Sequence, residues 1–304
     1  MTTQNNTQTT HHISFLKQTL SLTVLAAASF AAQASDKNLD VQVYSNHDPK
    51  GFQVASVLIS GVKDAILLDA QFTVPDAQKL VEQIKASGKN LKTVFITAGD
   101  PDYYFGAGVI KAAFPDAKIL TTPAILKHIN ETVDGKLATW GKQMGDLVPK
   151  TATLPEAYMG NSLMLEGKKI SIKHGVGEKS EQTYMYIPSI KTVAGGVLVF
   201  GNLHLWTADS QTLKSRQDWV KSLQAIAALK PKTVIPGHFQ QDASQTLASV
   251  RYSQTYLTTL EKELKQSKDS AALIQTMTQK YPTAGLGVAL DIGAKVNKGE
   301  MQWH

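Results

Sequence analysis

The 304-residue chain has no cysteine. Disulfides, thiolate metal sites and cysteine nucleophiles are therefore excluded. Arginine is nearly missing as well: Arg216 and Arg251 are the only two. The excess of 31 basic over 25 acidic residues, formally +6, is thus carried by lysine. Those lysines are scattered, with no basic block and no aromatic interleaving, which argues against a nucleic-acid partner. Nucleotide motifs are also lacking. No G-x-G-x-x-G follows a strand, and there is neither a G-x-x-x-x-G-K-[ST] loop nor a G-x-S-x-G elbow. Beyond the first 34 residues no segment is apolar enough to span a bilayer.

What is present is a globular composition, 42% hydrophobic and 18% charged. It rules out a disordered chain, a collagen and a coiled coil. Lys17 precedes a short apolar stretch through Leu20, Leu22, Val24 and Leu25, and Ala32-Gln33-Ala34 then stands before Ser35. A basic residue, a brief apolar run and small residues at −3 and −1 read as a cleaved signal peptide over 1–34. The mature chain would start near Ser35 with 30 − 25 = +5. A bacterial periplasmic or secreted location follows as the expectation, with no membrane span after cleavage. The oligomeric state is not legible.

From residue 35 onward, strands and helices alternate. Apolar, β-branched runs at 41–44, 53–59, 65–68 and 93–97 read as strands. Ala77, Leu80, Val81 and Ile84 put one apolar face on a helix over 74–86. A helix is expected over 105–114, and another begins at Thr122-Pro123. Short strands follow at 163–165, 170–173, 184–187 and 192–194, then helices over 217–229 and 244–265. From about 244 the sequence reads as a helical C-terminal extension, with one more helix after Asp269 and a Gly-rich tail. On the long helix, Tyr252, Tyr256, Leu260 and Leu264 share a face that suits either core packing or a dimer seam. Two series of strands and helices point to an α+β fold with two mixed sheets flanked by helices.

The informative stretch is Thr97-Ala98-Gly99-Asp100-Pro101-Asp102-Tyr103-Tyr104-Phe105-Gly106. It lies between a buried strand and a helix, where a rigid scaffold places site residues. Two carboxylates around a proline either converge on a cation or cap the next helix.

This stretch resembles the metallo-β-lactamase superfamily signature T-H-x-H-x-D-H. Thr97 and Asp102 match it. Ala98 stands at the first His, Asp100 at the second and Tyr103 at the last. His174-Gly175-Val176-Gly177-Glu178 resembles the H-x-P-G-H turn, with Glu178 in the place of the ligand His. Thr192–Phe200 resembles the strand bearing the bridging Asp, which is Gly196 here, and Pro236-Gly237-His238 keeps the terminal His. The resemblance runs over about residues 40–240. It implies a four-layer αβ/βα sandwich over 35–304.

In the family, two zinc ions held by His and Asp polarise a water that attacks a carbonyl or phosphoryl group. Carried over residue by residue, the resemblance leaves Asp100, Asp102, Glu178 and His238 as candidate metal ligands. That oxygen-rich set suits one Mg²⁺, Mn²⁺ or Zn²⁺ rather than a dinuclear zinc centre. Tyr103, His204 and Trp206 are candidate pocket residues. Two readings follow. One is an exported hydrolase with an at most mononuclear site, acting on a small ester, lactone or amide. The other is a metal-free pseudoenzyme, its cluster neutralised by Lys179 or another lysine, that binds a small molecule or protein partner in the former cleft.

Overall fold

A computed structural model describes residues 1–5, 38–48 and 52–303. The chain divides into units 1–36 and 37–304, and the second is described below. The expected signal peptide, apart from residues 1–5, lies outside the described residues. Among those residues no helix is long and apolar enough to cross a membrane.

The first half builds a six-stranded mixed sheet. Its strands, in spatial order, are β1 (Asp40–Ser45), β2 (Ala55–Ser60), β3 (Asp64–Leu68), β4 (Asn90–Ile96), β5 (Lys118–Thr121) and β6 (Glu156–Ala157). β1–β2–β3 are antiparallel and β3–β4–β5–β6 are parallel. The parallel crossings carry α1 (Val74–Ala86), α2 (Pro101–Tyr104) with α3 (Ala107–Ala113), and α4 (Pro123–Met144). The second half adds β7 (Ser162–Leu165), β8 (Lys168–His174), β9 (Thr183–Ile187) and β10 (Thr192–Ala194). With β12 (Thr233–Val234) they form a five-stranded sheet ordered β12-β10-β9-β8-β7. The expectation of two sheets needs one addition: β11 (Phe200–Gly201) pairs in parallel with β13 (His238–Phe239) as a small separate ladder. The outer helices of this half are α5 (Leu213–Ala228), α6 (Leu247–Gln266), α7 (Ser270–Lys280) and α8 (Gly287–Asn297).

The period-2 alternation of strand side chains sorts residues into layers. Ile66, Leu68 and Phe95 face Met185, Ile187 and Ala194 in a core between the sheets. Their neighbours Leu67, Val94 and Ile96 face outward, onto Leu80 and Ile84 of α1 and Ile125 and Ile129 of α4. Tyr184 and Val193 face the other way, onto Trp219, Leu223, Leu257 and Leu260. The result is helix, sheet, sheet, helix, the expected four-layer sandwich.

Local chemistry sets the element ends. Thr73 caps α1 by accepting from the Asp76 N–H, and a proline opens its first turn. The helix expected over 105–114 is α3, which begins at Ala107; the Gly106 N–H just before it bonds the Gln71 carbonyl outside the helix. The C-terminal extension contains two helices after Asp269 rather than one, and the second joins α6 and α7 in the same outer core. Tyr256 and Leu260 are buried in that core, and Tyr252 and Leu264 pack against it, partly buried.

A buried carboxylate ties the two halves together. Asp69 follows β3 with φ +61° and is fully buried. Its Oδ1 accepts from the Thr97 N–H at 2.7 Å and its Oδ2 from the Thr97 hydroxyl at 2.6 Å. The same hydroxyl accepts from the Gly196 N–H at 2.7 Å, while the Thr97 carbonyl accepts from the Thr183 hydroxyl. Burial pushes the Asp69 carboxyl up to about 8, against the pull of its bonds to Thr97. Removing one side of this network strands the buried Thr97 donors. Asp69→Ala is expected to cost about 3 kcal/mol or more, read as a lower urea midpoint. A loss under about 1 kcal/mol would show that the network is not structural.

Candidate functional site

The site lies at the C-terminal ends of β4, β10 and β11 and at β13. Thr97, fixed by Asp69, starts the turn that leads into α2. Asp100 occupies the N-cap position of α2, yet its side chain makes no capping hydrogen bond. The capping alternative is therefore not realised for Asp100, and its carboxylate lines a cavity instead. That cavity measures about 50 Å³ and is lined by Gly99, Asp100, Ile125, His128, Glu181 and Gln182. The buried Gln182 Oε1 has no partner.

His238 is held from three sides. Its Nδ1 lies 2.9 Å from the Phe52 carbonyl, which can only accept, so Nδ1 carries the proton. Nε2 therefore presents its lone pair, and the Tyr103 hydroxyl lies 3.1 Å from it. The Phe200 ring stacks on the imidazole at 5.0 Å. Burial pushes His238 down to about 4, against the Phe52 bond. Asp102 Oδ2 is 3.6 Å from Nε2. With the imidazole neutral, this contact is no ion pair, and it is too long for a hydrogen bond. Burial pushes Asp102 up to about 7, against its own backbone N–H and the Lys136 charge. Asp100 is also raised, by burial first, with Lys136 opposing and Asp102 adding to the shift.

Of the four candidate ligands, the structure brings Asp102 and His238 together and keeps Asp100 in electrostatic reach of both. Glu178 is not brought in. It is exposed, accepts from the Thr212 hydroxyl at 3.1 Å and pairs with Lys214 at 3.7 Å. The reason is the anchoring of its turn on α5. Asp218 Oδ2 accepts from the Glu178 N–H, and the Ser222 hydroxyl accepts from the Val176 N–H. This turns Glu178 outward and the next residue, Lys179, inward. Among the described residues no group of three or more His, Asp or Glu side chains is arranged to hold a metal ion.

The pocket candidates also need correction. Tyr103 is fully buried beneath the site rather than lining the cavity. His204 is absorbed into the helical core, its Nδ1 2.9 Å from the Tyr256 hydroxyl. Trp206 does not line the cavity either; it meets Phe52 at 5.9 Å and Trp303 at 5.4 Å.

Sequence reasoning missed three residues here: Lys136, His128 and Asp209. Lys136 donates to the Gly99 carbonyl at 2.9 Å and to His128 Nε2 at 3.0 Å. Asp209 stands exposed at the rim, where its Oδ1 accepts from the Trp303 indole N–H at 2.6 Å. The signal for Lys136 was present: His128, Thr132, Lys136 and Trp140 repeat every four residues and so share a face of α4. The ring of His128 sits against Gly99, where an added Cβ would come within 2.5 Å of it.

Asp102 gives this region a pH signature. A carboxyl whose pKa rises on folding holds its proton more tightly when folded. Its stabilising contribution is complete below about pH 4 and is lost as pH climbs through about 7. The wild-type urea midpoint is therefore expected to drop more between those pH values than that of Asp102→Asn. Equal drops would place the Asp102 carboxyl in a solvated setting.

The metallo-beta-lactamase superfamily model matches residues 49–238, ending on His238. None of the curated protein sequences matches significantly. Among solved structures, a metallo-beta-lactamase family protein from Thermus thermophilus is similar with a TM-score of 0.59. Its sequence identity is 14%, over 86% of this chain and 92% of that one. A beta-lactamase domain protein from Burkholderia ambifaria gives 0.60 at 14% identity, over 85% and 84%. A metallo-beta-lactamase from Pontibacter korlensis gives 0.52 at 16%, over 73% and 95%. These likenesses show the fold, and the family match covers well over half of the chain: it belongs to the metallo-beta-lactamase superfamily.

Proposed function

We propose that this chain is an exported, non-hydrolytic member of its superfamily that works without a metal and binds a small polar group at Asp100. The observation that carries this reading is the state of the positions where the family's zinc ligands would stand. Nε2 of His238, the nitrogen that would face a metal, is bonded by the Tyr103 hydroxyl. At Gly196 no aspartate fits. Its φ is +76°, and an added Cβ would fall 2.0 Å from the Thr183 carbonyl oxygen. Ala98 offers no lone pair, and Glu178 is engaged elsewhere. Zinc chemistry needs three or four nitrogen, sulfur or oxygen donors around one ion. The residues present do not fit a dinuclear centre, and no hydrolytic step is derived through one.

The cavity sets the size of what binds. About 50 Å³ holds a water- or ammonium-sized group, far below the volume that encloses a drug-sized substrate. Its lining includes two acidic residues, Asp100 and Glu181, beside His128 and Gln182. A small donor-bearing group, such as a primary ammonium, matches the acidic residues of that lining.

Elemental analysis of the exported protein, purified without chelator, tests the metal part of this reading. The expected result is far less than one metal ion per chain, together with no ester, lactone or amide turnover when Zn²⁺ or Mn²⁺ is added. Stoichiometric metal with metal-dependent turnover would replace this reading with that of a mononuclear hydrolase. The export part predicts a mature N-terminus at Ser35, checked by N-terminal sequencing of periplasmic protein; an intact Met1 terminus would refute it.

A further inference from the structure

We propose that the end of the sandwich opposite the site is a lysine-covered face that docks on an anionic lipid surface, with the site turned away from it. The proposal goes beyond the reading above and holds whatever the metal content of the chain.

The lysines are scattered in sequence and gathered by topology. β3, β4 and β5 run toward the site in one sheet, β8 and β10 in the other, so their first residues and the turns before them meet at the far end. Each turn touches the next. Lys63 sits in the β2–β3 turn, where Lys89 donates to the Val62 carbonyl at 2.8 Å and Lys92 lies 3.7 Å from Asp64. Lys118 opens β5 in register with Thr93. From the second sheet, Glu166 of the β7–β8 turn accepts from the N–H groups of Val62, Lys63 and Asp64 at 2.7, 2.6 and 2.8 Å. This brings Lys168 and Lys169, at the start of β8, to the same end. Beside β8 lies the turn 188–190, which Lys191 follows. The Lys191 carbonyl accepts from the Lys232 N–H at 2.7 Å, and Lys230 stands two residues earlier. The seven residues of β4 hold this end about 20 Å from the site.

These segments carry nine lysines against four acids, Asp40, Asp64, Asp116 and Glu166. That excess of five equals the net charge of the whole chain after residue 34, so the remainder is balanced. Lys63, Lys118, Lys169, Lys191, Lys230 and Lys232 are exposed and make no ion pair among the described residues. The central acid, Glu166, turns its oxygens to backbone amides instead. Ammonium groups collected on one face set up a positive field that attracts an anionic surface. Residue type selects the partner. Neither arginine lies here: Arg216 of α5 pairs with Glu261, and Arg251 belongs to α6. The planar, bidentate recognition of a single phosphate or a base edge is thus missing. No exposed large hydrophobic side chain among the described residues is aromatic, so bases find no stacking platform. A layer of headgroup phosphates needs only point charges, and each lysine near it adds to the attraction. Val62, 43% exposed at the tip of the β2–β3 turn, adds an apolar contact between the lysines.

Co-sedimentation of the mature chain with vesicles tests the assignment. The vesicles are phosphatidylcholine alone or phosphatidylcholine and phosphatidylglycerol in equal parts, each at low salt and at about 0.5 M salt, where screening cuts exposed charges off within a few ångströms. Wild type is expected to sediment only with the phosphatidylglycerol vesicles and to be released by salt. The variant Lys118→Glu/Lys169→Glu/Lys232→Glu is expected to bind at least about tenfold more weakly, with an unchanged melting temperature. A control of the same net charge, Lys79→Glu/Lys127→Glu/Lys265→Glu, reverses exposed lysines of α1, α4 and α6 away from this face and is expected to keep most of the binding. Should the first variant fail to fold, Lys118→Gln/Lys169→Gln/Lys232→Gln is read in its place and must also bind more weakly than wild type. Equal losses in the two reversed variants would reduce the effect to net charge and overturn the proposal. Wild type that stays in solution, or that sediments equally with phosphatidylcholine alone, overturns it as well. Tighter binding to a random-sequence DNA duplex than to the vesicles at the same salt would assign the face to nucleic acid instead, and that too overturns it.

Discussion

The site depends on the bond between Asp69 and Thr97. One buried carboxylate takes both the amide and the hydroxyl of Thr97. Through that residue it fixes the Gly196 amide and the Thr183 hydroxyl on the second sheet. The two sheets meet face to face through apolar contacts, which are strong but not directional. The Asp69 network adds direction: it decides where the end of β4 lies relative to the end of β10. Asp100, Asp102 and Tyr103 inherit their positions from that choice. A carboxyl raised to about 8 by burial is the local cost.

From there outward, the histidine of the region is enclosed by protein on several sides. Tyr103 caps the lone pair of His238, Phe52 holds its other nitrogen, and Phe200 covers its face. Phe52 in turn meets Trp140 of α4 and Trp206. The layered fold is that of the superfamily, and a fold by itself does not fix the chemistry done at its site.

The sequence revealed the fold well because its signals are local and periodic. The α1 stripe of Ala77, Leu80, Val81 and Ile84 is buried as its spacing requires. The β10 strand falls where its β-branched run lies. Its bounds shifted where a tertiary bond set an element's end, as when the Gly106 amide bonded Gln71 and α3 began at Ala107. In the site, Asp102 and His238 were legible from motif positions. Glu178 misled, because a motif position fixes the backbone but not the direction of the side chain. That direction came from Asp218 and Ser222, some 40 residues further on. Lys136 was legible only as one member of a four-residue stripe, with nothing to say which way the helix faced. His204 was assigned to a pocket by its neighbours and belongs to the core through Tyr256.

The clasp between Phe52 and His238 joins residues 186 positions apart. Val54 forms an isolated bridge to the same histidine. Chain segments so distant meet only after a large entropic loss of loop closure, and topologies rich in such pairings fold slowly. The nascent chain therefore lacks this clasp until nearly all of the superfamily-matched segment has been made. The contacts of His238 with Tyr103 and Phe52 likewise wait until β13 has been made.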